Sequence, residues 1–353
     1  MSKHNHEHID AFVEKNWYVL IVRLGMRLGF TGDVMLGRKV NEFQQLRDPE
    51  RVWGSVRELL DNLDALFINL ECVLSTRGTQ WTRTRRPFHF RADPDWAVPA
   101  LGDAGTDFAA LANNHMLDFE TVALHDTLAA LDSVGIAHAG AGENEQQACA
   151  PAIITVDGIR VAVVAFTDNT PEYAAGPESA GVARIEMEMS DTDRTLVTET
   201  LKRAYEHDPD LLVASLHWGP NMVAIPDEQY RVFGRWLVEQ GVDIVHGHSA
   251  HVFQGIERHK GGIIFYDTGD FIDDYAIDRE LRNDRSFLFA VEVTAAGELE
   301  AVTLYPVEID RCTVHEADEE VAAWCRETMR ERSEPFGTAD AYEQVGDSLR
   351  LAL

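Results

Sequence analysis

Lysine is nearly absent from this chain. Only five of its 353 residues are lysines (3, 15, 39, 202 and 260), and 31 Lys and Arg face 60 Asp and Glu, a formal net charge of −29. Without a basic face the chain cannot displace the counterions of a nucleic acid, so no general nucleic-acid binding is expected. An acidic, lysine-poor surface suits solubility at high salt, where self-repulsion is screened, and points to a halophilic source. Cysteine is scarce too. The four cysteines (72, 149, 312 and 325) form no CxxC pair, which speaks against a disulfide scaffold or a thiolate zinc site and for a reducing compartment. Long apolar runs are missing as well. The stretch "NWYVLIVRLGMRLGF" is interrupted by Arg23 and Arg27, and no small-residue cleavage site follows it. The expectation is a cytoplasmic protein without a membrane anchor.

What is present reads as a large α/β protein: 45% of residues are hydrophobic, and no low-complexity tract occurs. The "KHNHEH" head has nothing rigid to hold it and reads as a disordered tail. Met26 opens "MRLGFTGDVMLGR", so residues 1–25 read as an extension, 26–310 as one domain without an internal linker, and 311–353 as a helical C-terminal segment. One theme recurs: a short apolar run, a polar cluster at its C-terminal end, then a helical stretch. Leu28–Thr31 leads into "GDVMLGR", Ala65–Ile68 into "NLE", and Phe108–Leu111 into "ANNHMLD" ahead of a helix over Glu120–Val134. Leu211–Leu216 leads into "HWGPN" and a helix over Asp227–Gln240, Val242–Val245 into "HGHSAH", and Ile263–Tyr266 into "DTGDF". Hairpins are marked by Asp157-Gly158, by Gly261-Gly262 and within "SFLFAVEVTAAGELEAVTLYPVEI", so the sheets are expected to be mixed.

Active sites of α/β sheets gather at strand C-termini. The residues placed there are Asp33, Glu71, Asn114, His115, Asp118, His217, His248 and His251. Carboxylate, amide oxygen and imidazole together are the ligand set of hard to borderline divalent cations. Each alone is equally at home as a core, turn or cap residue; the force lies in six clusters at comparable strand ends. Within "HGHSAH", His248 and His251 are placed beyond the strand, where a loop can turn both rings to one centre. His246 stays in strand register, facing the core, and Gly247 permits a bend.

Taken in order, "FTGDVMLGR", "NLE", "LANNHMLD", "HWG", "GHSAHVFQGIE" and "YDTGDF" resemble the CapA family of poly-gamma-glutamate (capsule) biosynthesis proteins, within the calcineurin-like metallophosphoesterase superfamily. The resemblance covers roughly residues 27–290. It implies a four-layer α/β/β/α sandwich with mixed sheets and two divalent cations (Mn, Zn or Fe). Carried over by motif, the implied metal ligands are Asp33, Glu71, Asn114, His217, His248 and His251. His115 is the implied general acid, with Asp118 orienting it. Two departures stand out: Met35 occupies the place of a usual ligand histidine, and two residues rather than one separate His248 from His251. A family "GNF" reads "GDF" here, which offers Asp270 as a further carboxylate. "TRTRRPFHFRADP" gathers arginines in an acidic chain, and Arg38, Arg86 and Arg91 are the expected anion-binding residues. The implied function is metal-dependent hydrolysis of a phosphorylated or polyanionic substrate, whether small molecule or polymer. The other reading is a non-catalytic, polymer-binding accessory subunit of a polyglutamate synthesis machine.

Overall fold

The computed structural model describes residues 25–353. The readings of the "KHNHEH" head and of the extension ahead of Met26 lie outside the described residues, Gly25 apart.

Two mixed sheets face each other. In the larger, the strands run in the order Tyr342–Val345, Ser348–Ala352, Leu299–Asp310, Arg285–Val293, Met26–Val34, Ala65–Leu70, Thr106–Ala110 and Ala137–Ala139. Met26–Val34 through Ala137–Ala139 are parallel; from Arg285–Val293 outward the pairing is antiparallel. A short strand, Asp270–Ile272, adds in parallel at the end of Met26–Val34. The smaller sheet is ordered Ile256–His259, Gly262–Phe265, Ile244–His248, Leu211–His217, Ile159–Thr167 and Ala152–Val156, a parallel centre with a hairpin at each edge.

Side chains alternate across each strand, and here both faces are buried, so the central strands read as unbroken apolar runs. Phe30, Phe67 and Phe108 of the larger sheet meet Val161, Val213, Ile244 and Phe265 of the smaller in one core. On the outer face of the larger sheet, Val34, Leu66, Ile68 and Ala109 pack with Val40, Trp96, Leu101, Leu124 and Leu131 from the helices Arg38–Gln44, Pro94–Asp103 and Glu120–Val134. Leu212, Ala214 and Leu216 pack with Val197, Leu201, Phe233 and Leu237 from Asp191–Tyr205 and Glu228–Glu239. The order is therefore helix, sheet, sheet, helix: the expected four-layer α/β/β/α sandwich with mixed sheets.

Four details differ from the sequence reading. The strand Ile244–His248 carries His248 within it rather than beyond its end. Gly247 is not a bend; a Cβ there would meet the Tyr266 carbonyl oxygen at 2.1 Å, so glycine is required by close strand approach. The second hairpin turns at Lys260-Gly261, one residue earlier than expected, where φ is +45° and +91° as a two-residue primed turn demands. Finally, the helix Glu319–Ser333 is followed by two strands that extend the larger sheet through Leu349 and Leu351, so the C-terminal segment is helix and hairpin, not helix alone. Its short alternating stretches, "YEQV" and "SLRLA", carry the strand period that the acidic composition masked.

Candidate metal centre

Register brings the candidate ligands together before any side chain is placed. Asp33 pairs across the larger sheet with Asn69 on one side and Asp270 on the other. His217 pairs with His248 in the smaller sheet. The two strand ends face one another, and Asp33, His217 and His248 offer ligand atoms within 4.8 Å of one another; so do Asp33, His251 and Asp270. His251 reaches Asp33 from a turn with φ +111° at Ser249 and +59° at His251, left-handed conformations strained for side chains of this kind. Its Nδ1 lies 2.9 Å from Asp270 Oδ1 and 3.3 Å from Asp33 Oδ2. Glu71 Oε1 stands 3.9 Å from His217 Nε2 and 3.8 Å from His115 Nε2.

The surroundings fix these groups. Asn69 Nδ2 donates to Asp33 Oδ1 at 2.7 Å, and Tyr275 donates its hydroxyl to Glu71 Oε2 at 2.9 Å. Ser215 Oγ lies 2.9 Å from His248 Nε2, leaving His248 Nδ1 toward His217 Nδ1 at 3.0 Å. His246 turns the other way: its Nε2 donates to the Thr31 carbonyl at 2.8 Å and its ring lies edge-on to Phe30. It is fully buried and contributes to neither ligand group.

Electrostatics show that the donor set is incomplete as it stands. Burial holds His217 down to about 3 and His248 well below the ordinary imidazole range, so both are neutral with lone pairs available. Burial also acts downward on His251, but the Asp270 and Glu71 carboxylates outweigh it and raise it well above the usual value. Burial, with Asp33 next in weight, pushes Glu71 well above the carboxylate range, and burial likewise raises Asp270. Asp33 goes the opposite way: the His251 hydrogen bond and the three histidines overcome its burial. His251 is thus the one histidine held toward its charged form, among three buried carboxyl groups of which only Asp33 is held toward its own. Asp33 Oδ2, Glu71 Oε1, Asp270 Oδ2 and Asn114 Oδ1 are buried with no hydrogen-bond partner. Such orphaned oxygens are costly unless something positive binds them. A hard to borderline divalent cation fits this set of carboxylate, amide and imidazole donors.

A second constellation borders the first. Asp118 Oδ2 takes the Phe90 N–H at 2.7 Å and lies 2.6 Å from His115 Nδ1, while its Oδ1 accepts from the Tyr173 hydroxyl at 3.0 Å. Thus oriented, His115 stacks on Phe90 and points Nε2 toward Glu71. Arg86 lies against this pair, with Nε 3.6 Å from Asp118 Oδ1 and its guanidinium over Tyr173. The other two expected anion-binding arginines are engaged elsewhere. Arg38 pairs with Asp274 at 3.2 Å, and Arg91 covers the Phe119 ring and donates to the Arg77 carbonyl. Neither bonds a member of the metal centre.

Three residues were passed over in the sequence as site members: Asn69, Asn113 and Tyr275. Asn69 stood in the quoted "NLE" without a place in the ligand set, whereas Asp270 of "GDF" was offered as a further carboxylate and stands with Asp33 and His251. Asn113 is the neighbour of Asn114, and its side chain donates to Asn69 Oδ1 and the Leu70 carbonyl. Tyr275 had no signal short of the fold. Met35 is buried, and its thioether accepts from the Gly37 N–H at 3.1 Å.

Residues 27–275 match the family model described as bacterial capsule synthesis protein PGA_cap. The chain is 32% identical to the probable polyglutamine synthesis accessory protein of Mycobacterium tuberculosis, covering 87% of this chain and 90% of that one. It is 30% identical to the capsule biosynthesis protein CapA of Bacillus anthracis over 70% of this chain and 60% of the relative. With the PGA biosynthesis protein CapA of Bacillus subtilis it shares 26% identity over 80% and 72%. Among the described residues no helix is long and apolar enough to cross a membrane.

Proposed function

This chain belongs to the bacterial capsule synthesis protein family, and from that premise and its buried centre we propose a metal-dependent hydrolase acting on a phosphorylated or polyanionic substrate in capsule or polyglutamate synthesis. The observation that carries the reading is the set of buried, partnerless carboxylate oxygens beside neutral histidines. Asp33, Glu71, Asn114, His217, His248 and His251 would hold divalent cations, Mn, Zn or Fe, with Asp270 as an added carboxylate. Such a cation supplies Lewis acidity and lowers the pKa of bound water. The chain's own residues do the rest. Asp118 accepts the Nδ1 proton of His115 and favours its imidazolium, whose second proton, on Nε2, would face the centre and pass to a leaving group. Arg86, paired with Asp118 and bonded to Thr170 and the Asn114 carbonyl, would add positive charge beside the centre for an anionic substrate. Asn69 and Tyr275 keep the Asp33 and Glu71 carboxylates aimed.

Met35 favours a second reading, in which the centre holds a cation but serves a polymer-binding accessory. A thioether turned onto the Gly37 amide is a poor ligand for a hard cation. Metal analysis of the full-length protein, paired with a phosphomonoester and a phosphodiester assay, separates the two. Hydrolysis that disappears in His217→Ala and His248→Ala supports the enzyme. Bound metal with no hydrolysis supports the accessory. Absence of divalent metal, or activity unchanged in both variants, overturns the hydrolase.

A further inference from the structure

One buried carboxylate beside the centre belongs to neither ligand group. Asp267 opens "DTGDF", two residues past the strand Gly262–Phe265, and is 1% exposed. Its Oδ2 accepts the Ala250 N–H at 2.7 Å, and its Oδ1 accepts the Gly269 N–H at 2.7 Å. Each bond reaches a turn that presents a candidate ligand. Ala250 lies between Ser249 and His251, both left-handed, and Gly269, with φ +70°, immediately precedes Asp270. The Gly269 carbonyl in turn takes the Asp33 N–H at 2.8 Å. The two bonds of one carboxylate therefore underlie Asp33, His251 and Asp270, the whole of one ligand group.

Other aspartates bond the main chain differently. Asp64, Asp107, Asp210 and Asp243 stand at or just ahead of the start of a strand. Each takes a single N–H from the neighbouring strand, of Arg27, Leu66, Arg160 and Leu212 respectively, at 2.7–2.9 Å. None of the four is fully buried. They staple strand to strand at the end of the sheets away from the centre. Asp267 ties turn to turn at the end that holds it.

The His251 turn needs such a tie, because left-handed backbone at Ser249 and His251 persists only where its surroundings fix it. The Met222 N–H on the Ala250 carbonyl at 2.8 Å and Asn169 on Ser249 Oγ at 3.2 Å also hold this turn, but neither joins it to the Asp270 turn. A carboxylate offers two acceptor oxygens and no donor; asparagine in its place would turn an N–H onto an N–H. A further buried carboxylate is costly in a site without a cation and favourable in one that holds it.

We propose that Asp267 is a positioning residue of the metal centre: its carboxylate clamps the His251 turn to the Asp270 turn and so sets the spacing of the Asp33, His251 and Asp270 donors. The clamp rests on the reading of this centre as a cation site. Its effect falls on one half of the centre, since His217 and His248 are held by strand pairing instead.

The test uses full-length protein, freed of metal with a chelator and titrated with Mn²⁺ or Zn²⁺ in a calorimeter. Asp267→Asn and Asp267→Ala should bind the ions ~10- to 100-fold more weakly than wild type. Asp243→Asn, which breaks a strand staple at 2.8 Å, should destabilise the fold and bind them as wild type. If Asp267→Ala does not fold, Asp267→Asn, of the same shape, carries the comparison. Hydrogen exchange on the metal-free proteins reads the clamp without any ion. Residues 249–251 and 268–270 should exchange at least about tenfold faster in Asp267→Asn, while Leu211–His217 and Ile244–His248 keep wild-type rates. Ions bound equally by wild type and Asp267→Asn, or lost equally in Asp243→Asn, overturn the clamp and leave the metal centre standing. Ions bound by neither protein, with exchange at 249–251 raised, overturn the metal centre and leave the tie between the turns. Unchanged exchange at both turns overturns the clamp whatever the ions do.

Discussion

Replacing His246 and His248 in turn separates fold from metal within three residues of one strand. His246→Ala removes an imidazole packed between Phe30, at 5.2 Å, and His248, at 5.1 Å, from a fully buried position. Its hydrogen-bond partners are not stranded. The Thr31 carbonyl retains the Thr268 hydroxyl at 3.2 Å, and Ser215 retains His248 at 2.9 Å. The cost is therefore mostly that of a cavity, about 2–4 kcal/mol. A folded body of roughly 330 residues unfolds with an entropy near 0.7 kcal/mol/K, so a loss of about 3 kcal/mol lowers the melting temperature by about 4 °C. Metal content should not change. His248→Ala removes a donor whose Nδ1 lies 3.8 Å from Asp33 Oδ1, and should lower metal affinity by more than the ~10- to 100-fold typical of an outer-shell loss. Elemental analysis after buffer exchange, read beside a thermal melt, gives both quantities from one preparation. A folded His246→Ala protein stripped of metal, or a His248→Ala protein with full metal content, would refute the division of roles.

Tyr275→Phe deletes the hydroxyl that positions Glu71 and should weaken metal binding ~10- to 100-fold in a titration; wild-type affinity would remove Tyr275 from the site. Asp118→Asn should keep its metal yet lose ~100-fold or more in turnover of a phosphoester, since His115 loses the acceptor that favours its imidazolium; equal turnover would rule out the His115–Asp118 pair as the acid. Gly32→Ala would place a methyl group 1.9 Å from the Gly269 carbonyl oxygen, forcing apart the segments that carry Asp33 and Asp270; a loss of about 3 kcal/mol is expected, and an unchanged melt would show that the backbone yields freely. With a net charge of −29, the melting temperature should rise as potassium chloride goes from about 0.15 to about 2 M, and a flat response would argue against adaptation to high salt.

The parallel core was legible because its strands are buried on both faces and announce themselves as apolar runs ending in polar clusters. The helix over Glu120–Val134 was bounded correctly, and Asp227–Gln240 closely, by their periodicity and flanking caps. His217 and His248 lie side by side because adjacent parallel strands end at the same level, a rule that needs no coordinates, while Asp33 meets them from the facing sheet and His251 from a turn. What sequence could not supply was direction after the strand ends. One residue of offset separates Asn113, hydrogen-bonded into the larger sheet, from Asn114, whose Oδ1 lies buried and partnerless. Arg38 and Arg91 lay in the right motifs but are claimed by Asp274 and Phe119, partners that only the tertiary fold brings near. The C-terminal hairpin was hidden because its strands are short and one lies at the sheet edge, where exposed polar residues blur the alternation.

The strand Met26–Val34 lies between Ala65–Leu70 and Arg285–Val293, which makes the first described strand one of the last to be completed. During synthesis, Asp33 must wait some 240 residues for Asp270, and the start of its strand still longer for Arg285–Val293. Meanwhile the histidines that share its site are secured in the opposite sheet. No early fragment carries the full ligand set, so a cation bound at this centre would certify that both sheets have formed and closed on one another. Capture of the metal would then act as the latch of a slow, long-range assembly, protecting the chain from acquiring reactivity before it has a finished surface to confine it.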